Sequence, residues 1–421
     1  MIDKLTSFMR LDRSVQLFMF ACLLHGFGGL GIYLVLLNLY LASLNFDMVF
    51  IGNINGISGL VTALSAIPAG LIGARLGLRG TTVAGYGICA LGVTLFLLTV
   101  PLLPEAWWPA SLTTALVVFA FGGGLILVNY TPYLMGIAPE DQRDMAFTLM
   151  GVVFALGALV GNLVAGFLPG LLIRIGSGVI SQSMAFNLVI WLFVPSFLAC
   201  MLILLLARPA PSLLQKSQGD ARGKTPYGLL TFLGVLMTLF MVGEGGFSTF
   251  INLFLAEELA LSTGLIGSVF AAGKVITILA APLLLLGLKR LGSGWTMNWS
   301  YAVISLCALL LILLPIPLVA VTATVLYGPL SNFCVSARTL FSQDIVIPRW
   351  RTMTSAVLIV SQAIGWGGAG LIGGRIIASS GYTVLFFLSA SVILSGFLLY
   401  MLYHRTSAKA HPHVKVAAPT V

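Results

Sequence analysis

Charge is scarce in this chain. Only 8% of the 421 residues are charged and 12 of them are acidic, against 59% hydrophobic residues and a mean hydropathy of +1.07. A polypeptide of that balance cannot stay dissolved as a single globule of this length, so a polytopic membrane protein is expected. Cysteine is scarce as well. Cys22, Cys89, Cys200, Cys307 and Cys334 are scattered through separate apolar stretches, which argues against a disulfide framework and a thiolate metal site. There is no Gly-Lys-Ser phosphate loop, no run of clustered carboxylates and no His-x-x-x-His pair. Neither ATP-driven pumping nor intramembrane hydrolysis has residues to perform it, so no enzyme, cofactor or metal is expected. His411-Pro412-His413 reads as tail composition rather than as a ligand set.

Long apolar runs are what the chain has in abundance. They read as twelve spans, at 15–42, 47–74, 80–103, 109–136, 146–174, 185–207, 227–256, 263–288, 295–316, 318–343, 352–378 and 382–403. Most exceed the ~20 apolar residues that a hydrocarbon core demands, which implies tilt or helices protruding into water. The first has a basic flank but outruns a signal-peptide core and lacks a small-residue cleavage site, so it is expected to stay attached.

A formal charge of +9 would suit nucleic acid if the cations formed a stripe. They follow a topology rule instead. With the N-terminus inside, 17 of the 21 Lys and Arg residues fall on the cytoplasmic side, and Arg174 and Arg375 on the other. Both termini are therefore expected in the cytoplasm, and no nucleic acid is expected as a partner.

The chain also says one phrase twice. Ile51-Gly52 is followed by Arg75-Leu76-Gly77, and Ile266-Gly267 at the same spacing by Arg290-Leu291-Gly292. Each phrase encloses enough apolar residues to cross a bilayer and ends in a basic turn. Asn38-Leu39-Tyr40-Leu41 likewise matches Asn252-Leu253-Phe254-Leu255, and Arg143-Asp144-Met145 answers Arg351-Thr352-Met353. The expected organisation is an N-terminal six-helix half at 1–207, a cytoplasmic linker at 208–226, a C-terminal six-helix half at 227–403 and a disordered cytoplasmic tail at 404–421. Homologous halves about an axis along the membrane normal are a transporter plan, with the binding site expected at their interface.

Twelve spans, two halves, inside termini and a recurring Gly-rich basic turn together resemble the major facilitator superfamily. The resemblance implies an all-α membrane fold working by alternating access. It also implies cytoplasmic gate loops at Gly70, Arg75, Gly77 and Arg79, and at Lys289, Arg290 and Gly292. In the family's loop pattern an acid joins the cytoplasmic charge network; Ala74 stands there in this chain. A glycine pattern that marks many antiporters on helix 5 fits only in part at Gly157, Gly161, Asn162, Ala165 and Gly166, and a related stretch, Ala369-Gly370 and Gly373-Gly374, is similarly degenerate; close helix packing explains both. The Arg that proton-driven drug exporters carry in helix 4 has no counterpart in Phe119–Gly124.

Within the spans stand four ionisable groups: His25, Glu244, Lys274 and Arg338. Such groups are costly in lipid and rarely face it. Glu244 and Lys274 each lie about eleven residues, or about 16 Å, from the outer ends of their helices, so a pair is expected, either a permanent tie or one opened by a proton or a substrate. A carboxyl in a low-dielectric setting favours its neutral form unless a cation offsets it, which suits proton exchange near neutral pH. Glu244 heads a stripe with Ser248 and Asn252, beside Gly243, Gly245 and Gly246. His25 is either hydrogen-bonded structure or a second proton group; Arg338 binds a substrate anion, snorkels, or pairs with Asp344. Asn38, Asn129 and Gln362 complete the expected cavity lining.

The expected function is secondary active, proton-coupled transport of a small amphipathic or moderately hydrophobic organic solute, export ahead of uptake. The alternatives are proton-coupled or facilitated uptake of a small polar or anionic metabolite and, in another class, a non-transporting receptor or scaffold. Expected partners are a small-molecule substrate, protons and membrane lipid, with the protein a monomer, multi-pass in a bacterial-type inner cell membrane.

Overall fold

The computed structural model describes residues 11–209, 227–314, 316–346 and 350–410, and among these every regular element is helical. In chain order they are α1 Arg13–Ser43, α2 Met48–Leu64, α3 Ala66–Leu102, α4 Trp108–Ile137, α5 Arg143–Ile175, α6 Gln182–Leu206, α7 Tyr227–Glu257, α8 Thr263–Leu291, α9 Ser293–Leu313, α10 Pro317–Asp344, α11 Arg351–Gln362 and α12 Gly368–Ala410. Ten helical segments of the described residues are long and apolar enough to cross a membrane, and Met48–Leu64 is a shorter apolar helix.

Local sequence explains where these rods bend. Pro68 has no N–H to give the Leu64 carbonyl, and α2 ends there, with Ser65 turning the chain and bonding back to the Thr62 carbonyl at 2.6 Å. Pro195 does the same to Trp191, and α6 is interrupted between Ile190 and Phe193. The glycine-rich stretch Gly26–Tyr33 winds as a π-helix inside α1, and a second π segment, Ala363–Gly367, follows α11.

Two compact units form. The first holds Met1–Phe50, Ile57–Gln218 and Leu261–Ala271; the second holds Ile51–Gly56, Gly219–Ala260 and Ala272–Val421. In the first, α3 packs on α4 and α6, and α1 on α5 and α6. In the second, α9 packs on α10 and α12, and α7 on α11 and α12. The packing pairs repeat at an interval of six helices, as the duplicated phrases imply. Both Gly52 and Gly267 of those phrases serve close backbone contact: a Cβ on Gly52 would stand 2.8 Å from Gly374 Cα, and one on Gly267 2.6 Å from Gly166 Cα. The glycines of α5 are packing glycines too, since a Cβ on Gly161 would meet Gly31 Cα at 2.8 Å.

The repeated Arg-Leu-Gly has a backbone reason. Gly77 sits at φ 72°, ψ 167° and Gly292 at φ 81°, ψ 168°, a region where an L side chain collides with its own backbone. Arg79, just past the first turn, donates to the Ala207 carbonyl at 2.7 Å and so caps the C-terminal end of α6. The side chain of Ala74, the linker residues 210–226 and the tail residues 411–421 lie outside the described residues, as do the side chain of Asp144 and the flank of the Gly70 turn. Within α12, Gly381 stands at φ 79°, ψ 173°, and two helices meet across a kink there.

Gly77→Ala and Gly292→Ala should each cost about 1–2 kcal/mol of stability, the scale of an L residue forced to positive φ. Gly151→Ala, at a helical position whose Cβ would meet nothing within 4 Å, should be neutral or stabilising. Melting temperatures of the three variants in detergent check this; equal losses at all three sites would contradict it.

Candidate functional site

Glu244 is 2% exposed, in the middle of α7. The glycines around it decide which way it points. A Cβ on Gly245 would lie 3.1 Å from Ala369 Cβ and 3.2 Å from Trp366 Cα, and Gly243 and Gly246 face Ile393 and Ser389 of α12 just as closely. Side chains there would hold α12 off; glycine lets it close, leaving the acid on the opposite face of α7. On that face Phe240 and Phe247 stand at i−4 and i+3, beneath and above the carboxyl. Phe240 stacks on Tyr301 of α9 with ring centroids 4.0 Å apart and planes 4° off parallel, and Phe247 packs on Tyr327 of α10 at 5.2 Å. The aromatic pairs fix both tyrosine rings so that their hydroxyls meet the carboxylate.

Three hydroxyls then donate to it. Ser331 Oγ reaches Oε1 at 2.6 Å, Tyr327 OH reaches Oε1 at 3.3 Å, and Tyr301 OH reaches Oε2 at 3.2 Å. Behind Tyr301 stands Arg338, whose Nη1 donates to the phenol oxygen at 3.2 Å and to the Met241 sulfur at 2.9 Å. The guanidinium thus polarises the phenol that holds the carboxylate, a relay of cation, hydroxyl and anion rather than a direct ion pair. An ionised carboxylate only accepts, and all three hydroxyls fit it; a protonated one carries a donor of its own, and at least one of the three must turn away. The three hydroxyls therefore tie α9 and α10 to the carboxyl of α7.

The other expected residues fall in several places. The expected Glu244–Lys274 pair is not formed: the ion pairs among the described residues are Arg143 with Glu140 and Arg208 with Asp12. Equal depth on two helices does not set their rotation, and the aromatic pairs turn Glu244 toward α9 and α10. Arg338 does not pair with Asp344, which accepts from Ser293 Oγ at 3.0 Å. Ser248 stands one turn from Glu244 on α7. Asn252 folds back on the Leu253 N–H at 2.9 Å. Asn38 is buried, Gln362 is exposed, and Asn129 donates to the Leu125 carbonyl of its own helix at 2.9 Å.

His25 belongs to an aromatic box within the first unit. Its Nδ1 is 2.9 Å from Tyr86 OH, and the rings of Tyr86, Phe154 and Phe197 surround it at 5.0–5.6 Å. Next to it Tyr130 donates to Cys22 Sγ at 2.8 Å. Tyr301 and Tyr327 are the residues that the sequence did not mark. A tyrosine in a span reads as core until something needs its hydroxyl.

A model of the family described as Major Facilitator Superfamily matches residues 18–369. Among solved structures, the chain is similar to a POT family transporter in complex with 5-aminolevulinic acid (TM-score 0.73, 16% identity, covering 94% of this chain and 96% of that one). It is also similar to the D323A mutant of the nucleoside transporter NupG (0.72, 15%, 93% and 99%) and to a D-xylose-proton symporter (0.71, 14%, 92% and 96%). No curated protein matches the sequence.

Removing the phenol oxygen that serves both charges should hurt most. Tyr301→Phe should lower stability by about 1–3 kcal/mol, the cost of stranding a buried charged acceptor, and Tyr327→Phe by less, because Ser331 still serves the same oxygen. Thermal denaturation in detergent measures both; Tyr301→Phe melting like the parent would contradict the relay.

Proposed function

Because the chain belongs to the major facilitator superfamily, whose members named above are transporters, we propose that it is a proton-coupled secondary transporter of a small organic solute, with Glu244 as the proton carrier. One observation supports this above the others: the buried acid of α7 is held by rotatable hydroxyls instead of a fixed cation. A carboxylate locked to a lysine would resist protonation; one held by Ser and Tyr oxygens can take a proton by reversing a single hydrogen bond. On this reading, protonation weakens the charge-assisted bonds from α9 and α10 to α7, and those two helices are released to rearrange in the transport cycle. The similarity to a symporter of D-xylose and protons is in keeping with it.

The rest of the proposal follows the topology signals. Twelve crossings, both termini inside, a monomer and a place in a bacterial-type inner cell membrane are inferred from the span pattern and from the distribution of Lys and Arg. The gate loops are assigned to the turns around Gly77 and Gly292, where the backbone itself is irregular. His25 is given a packing role, leaving Glu244 as the proton group.

Proteoliposomes loaded with a pH-sensitive dye and challenged with a library of organic acids, sugars, nucleosides and amphipathic drugs test this. At least one compound should move protons with the parent protein. Glu244→Gln should give no proton movement with that compound while still exchanging it between the two sides. Undiminished proton flux in that variant would remove Glu244 from the coupling.

A further inference from the structure

Lys274 is the cation that the Glu244 cluster does not use. It lies in the apolar run of α8, about 16 Å from one end of the helix and farther from the other, at 1.5 Å per residue. That is beyond what a four-carbon stem covers by snorkelling to the interface. The helix is held close to α10 at this level, since a Cβ on Gly328 would stand 3.1 Å from the Gly273 carbonyl oxygen. Lys274 is therefore level with Tyr327, which serves Glu244, yet it makes no hydrogen bond or ion pair with any described residue. Its side chain is half-buried.

Charge counting sharpens the point. In the span interior of the second unit, two cations, Lys274 and Arg338, face one carboxylate. Arg338 is committed to the Tyr301 relay, and Glu244 has all three of its hydrogen bonds from hydroxyls. One positive charge is left over, at mid-span depth, where an uncompensated ion is costly and persists only for a purpose. A lysine retained for helix packing would be replaced by methionine at a gain.

We propose that Lys274 is the anchor for the anionic group of the transported solute, so that the substrate is a small organic anion: a carboxylate, a phosphate monoester or a sulfonate. This rests on the transporter reading and deepens it, but it does not depend on the proton step at Glu244.

The test is a binding measurement that needs no gradient, so its failure is separate from a failure of proton coupling. Purified protein in neutral detergent is melted with acetate, benzoate, phenyl phosphate and benzenesulfonate, and with the uncharged acetamide, benzamide and phenol. At least one anion should raise the melting temperature of the parent, and its neutral counterpart should not. Lys274→Met should erase the shift, and Lys274→Arg should keep it. Without ligand, Lys274→Met should melt no lower than the parent, because an uncompensated charge has been removed. The proposal is overturned by any of four results: no anion stabilises the parent, neutral counterparts do so equally, the shift survives in Lys274→Met, or that variant melts lower without ligand. A Lys274-dependent shift from added phosphatidylglycerol in place of the soluble anions would assign the lysine to lipid and also overturn it.

Discussion

The second unit keeps one carboxyl out of water with its hydrogen bonds satisfied. An isolated carboxylate in a membrane interior is too costly to persist unless nearby groups hold it. Here they come from three directions. Glycines of α7 let α11 and α12 close from behind, aromatic rings of α7 position two tyrosines, and Arg338 supplies the opposite charge through one of them. A carboxylate satisfied by hydroxyls keeps the option of protonation, whereas a tight ion pair would surrender it.

The first unit solves the matching problem differently. Its mid-span ionisable group, His25, is part-buried, boxed by rings and by one phenol, and its helix α1 is pressed against α5 by glycines on both sides. Two units with the same packing pairs therefore carry different contents: an aromatic box in one and a charged relay in the other.

Much of the fold was legible because its signals are local. Span length, the basic turns and the repeated Arg-Leu-Gly each follow from composition or backbone sterics, and Gly77 and Gly292 of the repeat both stand at positive φ. The breaks in α2 and α6 were also written in the sequence, as Pro68 and Pro195 four residues beyond the freed carbonyls, and a reading by hydropathy alone passes over them. The site was half legible. An acid among glycines announces itself, but its partners do not: Tyr301 and Tyr327 look like any buried ring, and their roles depend on stacking across helices. Depth along a helix follows from residue spacing, while rotation about its axis does not, so equal depth brings Lys274 level with Glu244 without joining the two in an ion pair.

The central claim is that Glu244 takes and gives a proton inside its hydroxyl cradle. Infrared difference spectroscopy of the protein in lipid, stepped from alkaline to acidic pH, reads that directly as the C=O stretch of a protonated carboxyl. A band should appear that is missing in Glu244→Gln and displaced in Tyr301→Phe, where one donor to the carboxyl is lost. An identical band in parent and Glu244→Gln would contradict the account, because the titrating carboxyl would then lie elsewhere in the chain.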